Sequence, residues 1–244
     1  MTEEKIRPGW RHEEKYRIDA QDAVLIRHRI EDLLQADVHA AASGSYEIRS
    51  VYFDDLYDTC YRKNEAGSDP RAKFRIRCYN ADSQRIALEK KSKKNLMTRK
   101  ESCLLTYEQA KVLIEGGVLS EDAAALSKAS KVLQEFCLLQ RTRLFRPKVM
   151  VVYQRMPFVM TAGNVRITLD LNIAAGWRPE QLFDAHPFLK PAMEAGRHLL
   201  EVKYDALLPR SVQQALELGH LQRESFSKYY LCRREEKKIH EYLW

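Results

Sequence analysis

The side chains best placed for chemistry in this sequence are basic ones that recur at every second position. In the segment 71–79, Lys73, Arg75 and Arg77 alternate with Phe74, Ile76 and Cys78. In 85–93, Glu89, Lys91 and Lys93 oppose Ile86 and Leu88, with Lys90 interrupting the apolar side. Arg166, Thr168 and Asp170 oppose Val165, Ile167 and Leu169, and Leu199, Glu201 and Lys203 oppose Leu200, Val202 and Tyr204. Arg11, Glu13, Lys15 and Arg17 oppose His12, Glu14, Tyr16 and Ile18, and Arg155 ends a more uniformly apolar run. Strand side chains alternate between two faces, so these segments present basic faces on which carboxylates are few. Arginine offers planar, paired donors to oxyanions and lysine a mobile point charge, a combination suited to phosphate groups.

Any one of these strands, taken alone, fits an ordinary sheet whose charged face meets water. Two features argue for the opposite orientation. A solvated face would mix signs freely, whereas several of these faces are rich in Arg and Lys and carry a single carboxylate: Glu13 with Lys15, Glu89 with Lys91, Glu201 with Lys203. The chain also carries several helices whose apolar stripes need a surface to cover. Strands closed on themselves with charges inward would leave their apolar faces outside for those helices. A bore of this kind is costly when empty, because desolvated like charges repel, so it implies a polyanion, water and metal within. The expected architecture is α+β: a barrel with a basic bore that holds a few acids, wrapped by helices. It would form one domain over residues 1–244.

The elements that must position these residues follow from local pattern. Strands are expected at 12–18, 46–53, 71–79, 85–93, 148–156, 164–171 and 198–204. Asn80-Ala81-Asp82-Ser83 reads as the turn between two of them. Apolar residues at helical spacing run from Asp19 to Ala36, with Asp19 or Asp22 as cap. Thr106 caps a helix that exits at Gly116-Gly117. Further helices are expected over 121–139, from Pro209 to Leu218 and from Ser225 to Leu243, while 92–100 reads as irregular.

Composition narrows the classes. The 244 residues include 41 Lys and Arg against 34 Asp and Glu, a formal charge of +7. A hydrophobic fraction of 45% is too high for a disordered chain. No apolar run is long enough to span a bilayer, and MTEEKIRPGW has no signal-type apolar core. Five scattered cysteines without CxxC spacing argue against a zinc cluster or disulfide framework, so a cytoplasmic location is expected. The seven histidines show no metal-ligand spacing. Arg233, Arg234, Lys237 and Lys238 could suggest nucleic acid, but Glu235, Glu236 and Glu241 dilute them into an ordinary solvated helix.

Taken in order, RHEEKYRI, YEIRSVYFDD, AKFRIRCYN, ALEKKSKKN, VVYQRMPF, VRITLDLN, LLEVKYDALLP and SFSKYY resemble the motifs of the VTC domain. This is the polyphosphate polymerase module of the vacuolar transporter chaperone complex, a branch of the triphosphate tunnel metalloenzymes with stand-alone bacterial versions. The resemblance covers about residues 10–230. It implies an antiparallel β-barrel tunnel of about eight strands with a basic interior, and an ATP-dependent polymerase that moves the γ-phosphate onto a growing polyphosphate chain, with Mn²⁺ or Mg²⁺ as cofactor. Position by position, it implies that Lys15, Arg75, Arg77, Lys91, Lys100, Arg155, Arg166 and Lys203 hold phosphates, with Arg99 as a substitute for Lys100. It makes Glu201 the metal ligand, with Glu13, Glu89 and Asp170 as further acids, and puts Ser227 and Lys228 on a closing helix that orients the acceptor or gates one mouth. The related CYTH-type enzymes begin with ExExK, but here Arg11 stands where the first Glu would be. That departure favours a polymerase over a two-metal hydrolase. A tunnel phosphohydrolase and a non-catalytic polyphosphate or inositol-phosphate binding domain are the alternatives.

Overall fold

The computed structural model describes residues 9–37, 40, 44–95, 97–119 and 128–242. The strands in chain order are β1 (Trp10–Asp19), β2 (Gln35–Ala36), β3 (Tyr46–Asp54), β4 (Arg71–Tyr79), β5 (Ile86–Lys94), β6 (Met97–Leu105), β7 (Arg146–Met160), β8 (Val165–Gly176), β9 (Lys190–Pro191) and β10 (Arg197–Tyr204). The described helices are α1 (Ala20–Glu31), α2 (Thr59–Glu65), α3 (Tyr107–Ile114), α4 (Lys131–Thr142), α5 (Arg210–Leu216) and α6 (Lys228–Tyr242). Eight strands run β7-β3-β4-β5-β6-β1-β10-β8, and pairing of β7 with β8 closes the ring; β2 and β9 are short additions. Every pairing is antiparallel. The expected closed barrel and α+β class are therefore present.

The apolar faces point outward, and helices bury them in two separate clusters. Ile18, Ile167, Leu169, Leu200 and Val202 pack with Ala23, Ile26 and Ile30 of α1 and Val212 of α5. Phe74, Ile76, Ile86 and Leu88 pack with Leu113 of α3 and with Val132, Leu133 and Phe136 of α4. Lys90, the interruption on the apolar side of β5, reaches Glu135 of α4 at 2.6 Å and lies over the Phe74 ring. Its stem covers apolar surface while its charge meets a partner at the helix edge.

Local chemistry sets the helix starts. Asp19 accepts from the Asp22 backbone N–H, and Asp22 accepts from that of Asp19, so the two candidate caps act together. Thr106 and Gln109 form the same reciprocal arrangement on α3. Several boundaries differ from the sequence expectation. The first helix stops at Glu31, and Gln35–Ala36 pair with β7 instead. The expected helix over 121–139 is interrupted: Lys128 is helical, Ser130 caps a separate helix from Lys131, and 120–127 lie outside the described residues. The irregular 92–100 resolves into the end of β5, left-handed Asn95 and the start of β6. The last helix starts at Lys228, leaving 225–227 extended across the barrel end, and Leu243 falls outside the described residues.

Candidate active site: a cationic tunnel

The inward faces enclose a cavity of about 440 Å³. Fourteen Lys and Arg side chains line it against three carboxylates, Glu13, Glu201 and Glu224. The charged faces of β1, β4, β5, β8 and β10 thus turn away from bulk water, while Ile76, Ile167 and Val202 sit in the outer clusters. No His or Cys lines this cavity among the described residues. Helix α6 packs on β7, β8 and α2 and closes one end.

The sequence candidates converge around four buried acids. Glu201 lies 2.6 Å from Lys228, 2.9 Å from Lys203, 3.4 Å from Arg155 and 3.5 Å from Lys15. Asp170 receives a two-pronged Arg155 guanidinium at 2.6 and 2.7 Å and the Lys228 ammonium at 2.6 Å. Glu13 holds Lys91 through both carboxylate oxygens at 2.6 Å and has Lys203 at 3.4 Å. Glu89 gathers Arg75 at 2.6 Å, Lys100 at 3.0 Å and Arg77 at 3.8 Å. Arg166 bonds Asp37 at 2.8 Å and the Tyr46 hydroxyl at 3.2 Å. Ser227 accepts from Lys73 at 2.6 Å on the stretch just before α6. Both candidates on β6 line the cavity: Lys100 reaches Glu89 at 3.0 Å, and Arg99 pairs with Glu101 at 3.1 Å.

Electrostatics keeps the acids ionised. Burial alone would raise Glu13, yet Lys15, Lys91 and Lys203 outweigh it and drive its carboxyl far below the ordinary range. Glu201 follows the same logic: burial opposes its charge, and Lys203, Lys228, Lys15 and Arg155 prevail. Asp170 is lowered against burial by Arg155 and Lys228. Glu89 is lowered against burial by Arg75, Arg77 and Lys100. Lys91 moves the other way. Burial, then Lys15 and Lys203, push its ammonium down to about 7 despite Glu13.

The carboxylates can hold a divalent cation only in part. Among the described residues, no group of three or more His, Cys, Asp and Glu surrounds a common point. Glu201 shares Lys203 with Glu13 and Lys228 with Asp170, so pairs of hard oxygen donors do lie close together. That donor set fits Mg²⁺ or Mn²⁺ bound through one or two carboxylates, with phosphate and water completing the shell.

Sequence reasoning missed two hydroxyls. Tyr52 accepts from Arg75 at 2.8 Å, and Tyr153 accepts from Arg77 at 3.1 Å, both inside the cavity. Tyr52 stands opposite Arg75 in the strand register, the long-range fact that gives its hydroxyl this role. Tyr153, two residues before Arg155 on the same face, was within reach of the alternation argument. The aspartates of YFDD and the tyrosines of SKYY also find a physical role. Asp54 accepts from the backbone of Asp55, Cys60 and Tyr61 and from the buried Tyr229 hydroxyl at 2.6 Å. Asp55 accepts from the backbone of Tyr57 and Thr59 at the start of α2.

Among solved structures, the chain resembles the Hippeastrum protein HpAC1, described as having a dominant triphosphatase activity. The identity is 14%, the TM-score 0.54, and the match covers 92% of this chain and 96% of that one. A Vibrio parahaemolyticus protein solved as a candidate adenylate cyclase shares 12% identity at a TM-score of 0.48, over 92% and 98% of the two chains. No curated protein sequence matches the chain. At 14% identity the likeness to HpAC1 speaks for the fold alone. The family match is more direct: residues 10–234 match the VTC domain, which includes every strand of the tunnel and the start of the helix that closes it. The chain belongs to the VTC domain family.

Proposed function

We propose that this protein is a phosphotransferase that moves the γ-phosphoryl group of ATP onto the terminal phosphate of a polyphosphate chain. The observation that carries this reading is the enclosed cavity with fourteen basic side chains against three carboxylates. Phosphoryl transfer asks mainly for in-line positioning and charge neutralisation. Arg75, Arg77, Lys91, Arg155, Arg166 and Lys203 clamp the donor phosphates, with Lys15 and Lys100 beside them. Lys228 and Ser227, at the closed end, orient the acceptor. A terminal phosphate oxygen attacks the γ-phosphorus and the bond to the β-phosphate oxygen breaks, releasing ADP. The nucleophile is already anionic, so the reaction needs no general base, in keeping with four acids that are all cation-bound. Mg²⁺ or Mn²⁺, held by Glu201 with Glu13 or Asp170, would neutralise charge on the phosphate oxygens.

One observation favours a second reading, a tunnel phosphohydrolase. Lys91, held near 7, could accept a proton from attacking water. Incubating the pure protein with ATP and Mn²⁺ separates the readings. Long-chain polyphosphate with ADP is the expected product. Orthophosphate without chain growth would mean hydrolysis. Tight polyanion binding with no turnover, unchanged in Glu201→Ala, would mean a binding domain.

A further inference from the structure

Of the three carboxylates that line the cavity, Glu13 and Glu201 belong to the ion-pair web of β1 and β10. The third, Glu224, comes from the segment between α5 and α6, and the proposed reaction gives it no role. A gap in the barrel wall accounts for its position. Strand β1 pairs with β10 from His12 to Asp19, but with β6 only from Trp10 to His12. Beyond His12 the second edge of β1 has no partner strand among the described residues. The segment around Glu224 takes that place. Arg223 bridges to Tyr16, and the Glu224 N–H donates to the Lys15 carbonyl at 2.9 Å.

This piece of wall is fastened more lightly than the strands. It has no ladder of its own, only the isolated bridge at Arg223. Apolar anchors flank it: Leu221 packs against the cluster under α1 and α5, and Phe226 is buried in the other cluster. Between them Gln222, Arg223 and Ser225 are exposed. Side chains add charge pairs with β1. Glu224 accepts from Arg17 at 3.0 Å, and Arg223 lies 3.6 Å from Glu14. Lys15, inside the tunnel, donates to the Phe226 carbonyl at 3.0 Å. Arg17 and Glu224 are both partly exposed, so water competes for their pair and it exchanges readily. A multivalent anion offers Arg17 and Lys15 more negative charge than one carboxylate and one carbonyl do.

We propose that residues 222–225 form an autoinhibitory flap, in which the Glu224 carboxylate stands in for phosphate at Arg17 while the tunnel is empty of ligand. A phosphate chain in the tunnel takes Arg17, repels Glu224 and draws the Lys15 ammonium off the Phe226 carbonyl. The flap then lifts between its two apolar anchors, and the Glu224 N–H leaves the Lys15 carbonyl. This deepens the phosphotransferase reading and rests on its anion-filled tunnel: the same cations hold either the flap or the ligand, so ligand binding and flap opening are linked.

The test is hydrogen exchange of the native chain with and without saturating tripolyphosphate in EDTA, read over residues 221–226. Exchange there is expected to speed up by about threefold or more on binding, while the strands of the barrel exchange no faster. Unchanged or slower exchange over 221–226, with tripolyphosphate bound, would overturn the flap alone. Calorimetric titration adds a second readout. Glu224→Gln removes the stand-in charge and should bind tripolyphosphate about threefold more tightly than the native chain, the scale of one partly exposed ion pair. The control, Glu194→Gln, removes one negative charge from an exposed position outside the cavity lining and should bind as the native chain does. Equal affinities in the two variants would also overturn the flap. Native protein that binds no tripolyphosphate would overturn the tunnel reading and the flap with it. The exchange measurement needs no substitution, so it stands even if Glu224→Gln fails to fold.

Discussion

Glu201 is the residue on which the site turns. Its side chain is 5% exposed and touches Lys228, Lys203, Arg155 and Lys15. These contacts serve two purposes that a substitution can separate. The carboxylate neutralises three ammonium groups in the ligand-free tunnel, and it is the best-placed hard ligand for a divalent cation. Glu201→Gln keeps the shape and removes the charge. Leaving buried cations without their partner costs about 3 kcal/mol, so the ligand-free variant should melt lower. Metal-free polyphosphate should bind the variant more tightly, because the surplus positive charge is no longer countered from within. Polymerisation in Mn²⁺ should nonetheless fall by about a hundredfold or more, since the metal loses its protein ligand. Turnover that survives the substitution would remove Glu201 from the metal. Tyr153 reads the same field from the other side: burial would raise its phenol, but Arg155 and Arg77 bring it below the ordinary value.

At the level of elements, the closing helix is held by two latches remote from the phosphates. Inside, the Tyr229 hydroxyl donates to Asp54, tying α6 to the end of β3. Outside, Asp58 at the start of α2 receives Lys237 at 2.8 Å, Lys148 at 3.2 Å and Arg233 at 3.3 Å. Tyr229→Phe leaves Asp54 with only its backbone donors and should cost about 1–3 kcal/mol of stability. Its readout is faster protease cleavage within the C-terminal helix and a melting temperature lower by a few degrees; no change in cleavage would mean that the bond does not hold the helix. Asp58 adds a pH dependence. Burial opposes its charge, but the hydrogen bond from Lys237 and the charges of Arg233 and Lys148 hold it at about 2. A depressed carboxyl stabilises the fold above its unfolded value near 4 and loses that contribution as the pH falls toward 2. Acid should therefore release α6 over that window in the native chain and show a weaker dependence in Asp58→Asn, measured by protease sensitivity of the C-terminal segment. These latches also mark what the sequence left out of sight. Period-two alternation made the inward faces of β1, β4, β5, β8 and β10 readable from residue type alone, because strand geometry fixes it locally. Whether a charged face meets water or a lumen depends on ring closure, so the inward orientation of Arg75 or Lys203 rested on inference from helix stripes and family motifs. Asp54 and Tyr229 are 175 positions apart, and nothing short of the fold brings them together. Helix α2, at seven residues, is too short to show a period.

For the molecule as a whole, inverting the usual charge arrangement changes what stabilises it. Most domains keep their like charges in water, where ions screen them within about 8 Å at physiological salt. Here fourteen cations face one cavity of about 440 Å³, and some of them, such as Arg155 and Lys228, are buried away from bulk ions. The helices compensate from outside, where two apolar clusters cover the barrel wall. The lumen itself is relieved only by an anion that enters. Tripolyphosphate should therefore raise the melting temperature far more than sodium chloride of equal ionic strength. At a hundred times its dissociation constant, a ligand bound only by the folded state adds about 2.7 kcal/mol, or roughly 5–10 °C for a domain of this size. The Arg75→Gln variant, which loses a clamp inside the tunnel, should show a smaller shift with tripolyphosphate and the same small shift with sodium chloride. Equal stabilisation by the two salts at matched ionic strength would mean that the cations are screened as surface charges are. In that case the wall of basic side chains is open to solvent, and the phosphate clamp could not act as described.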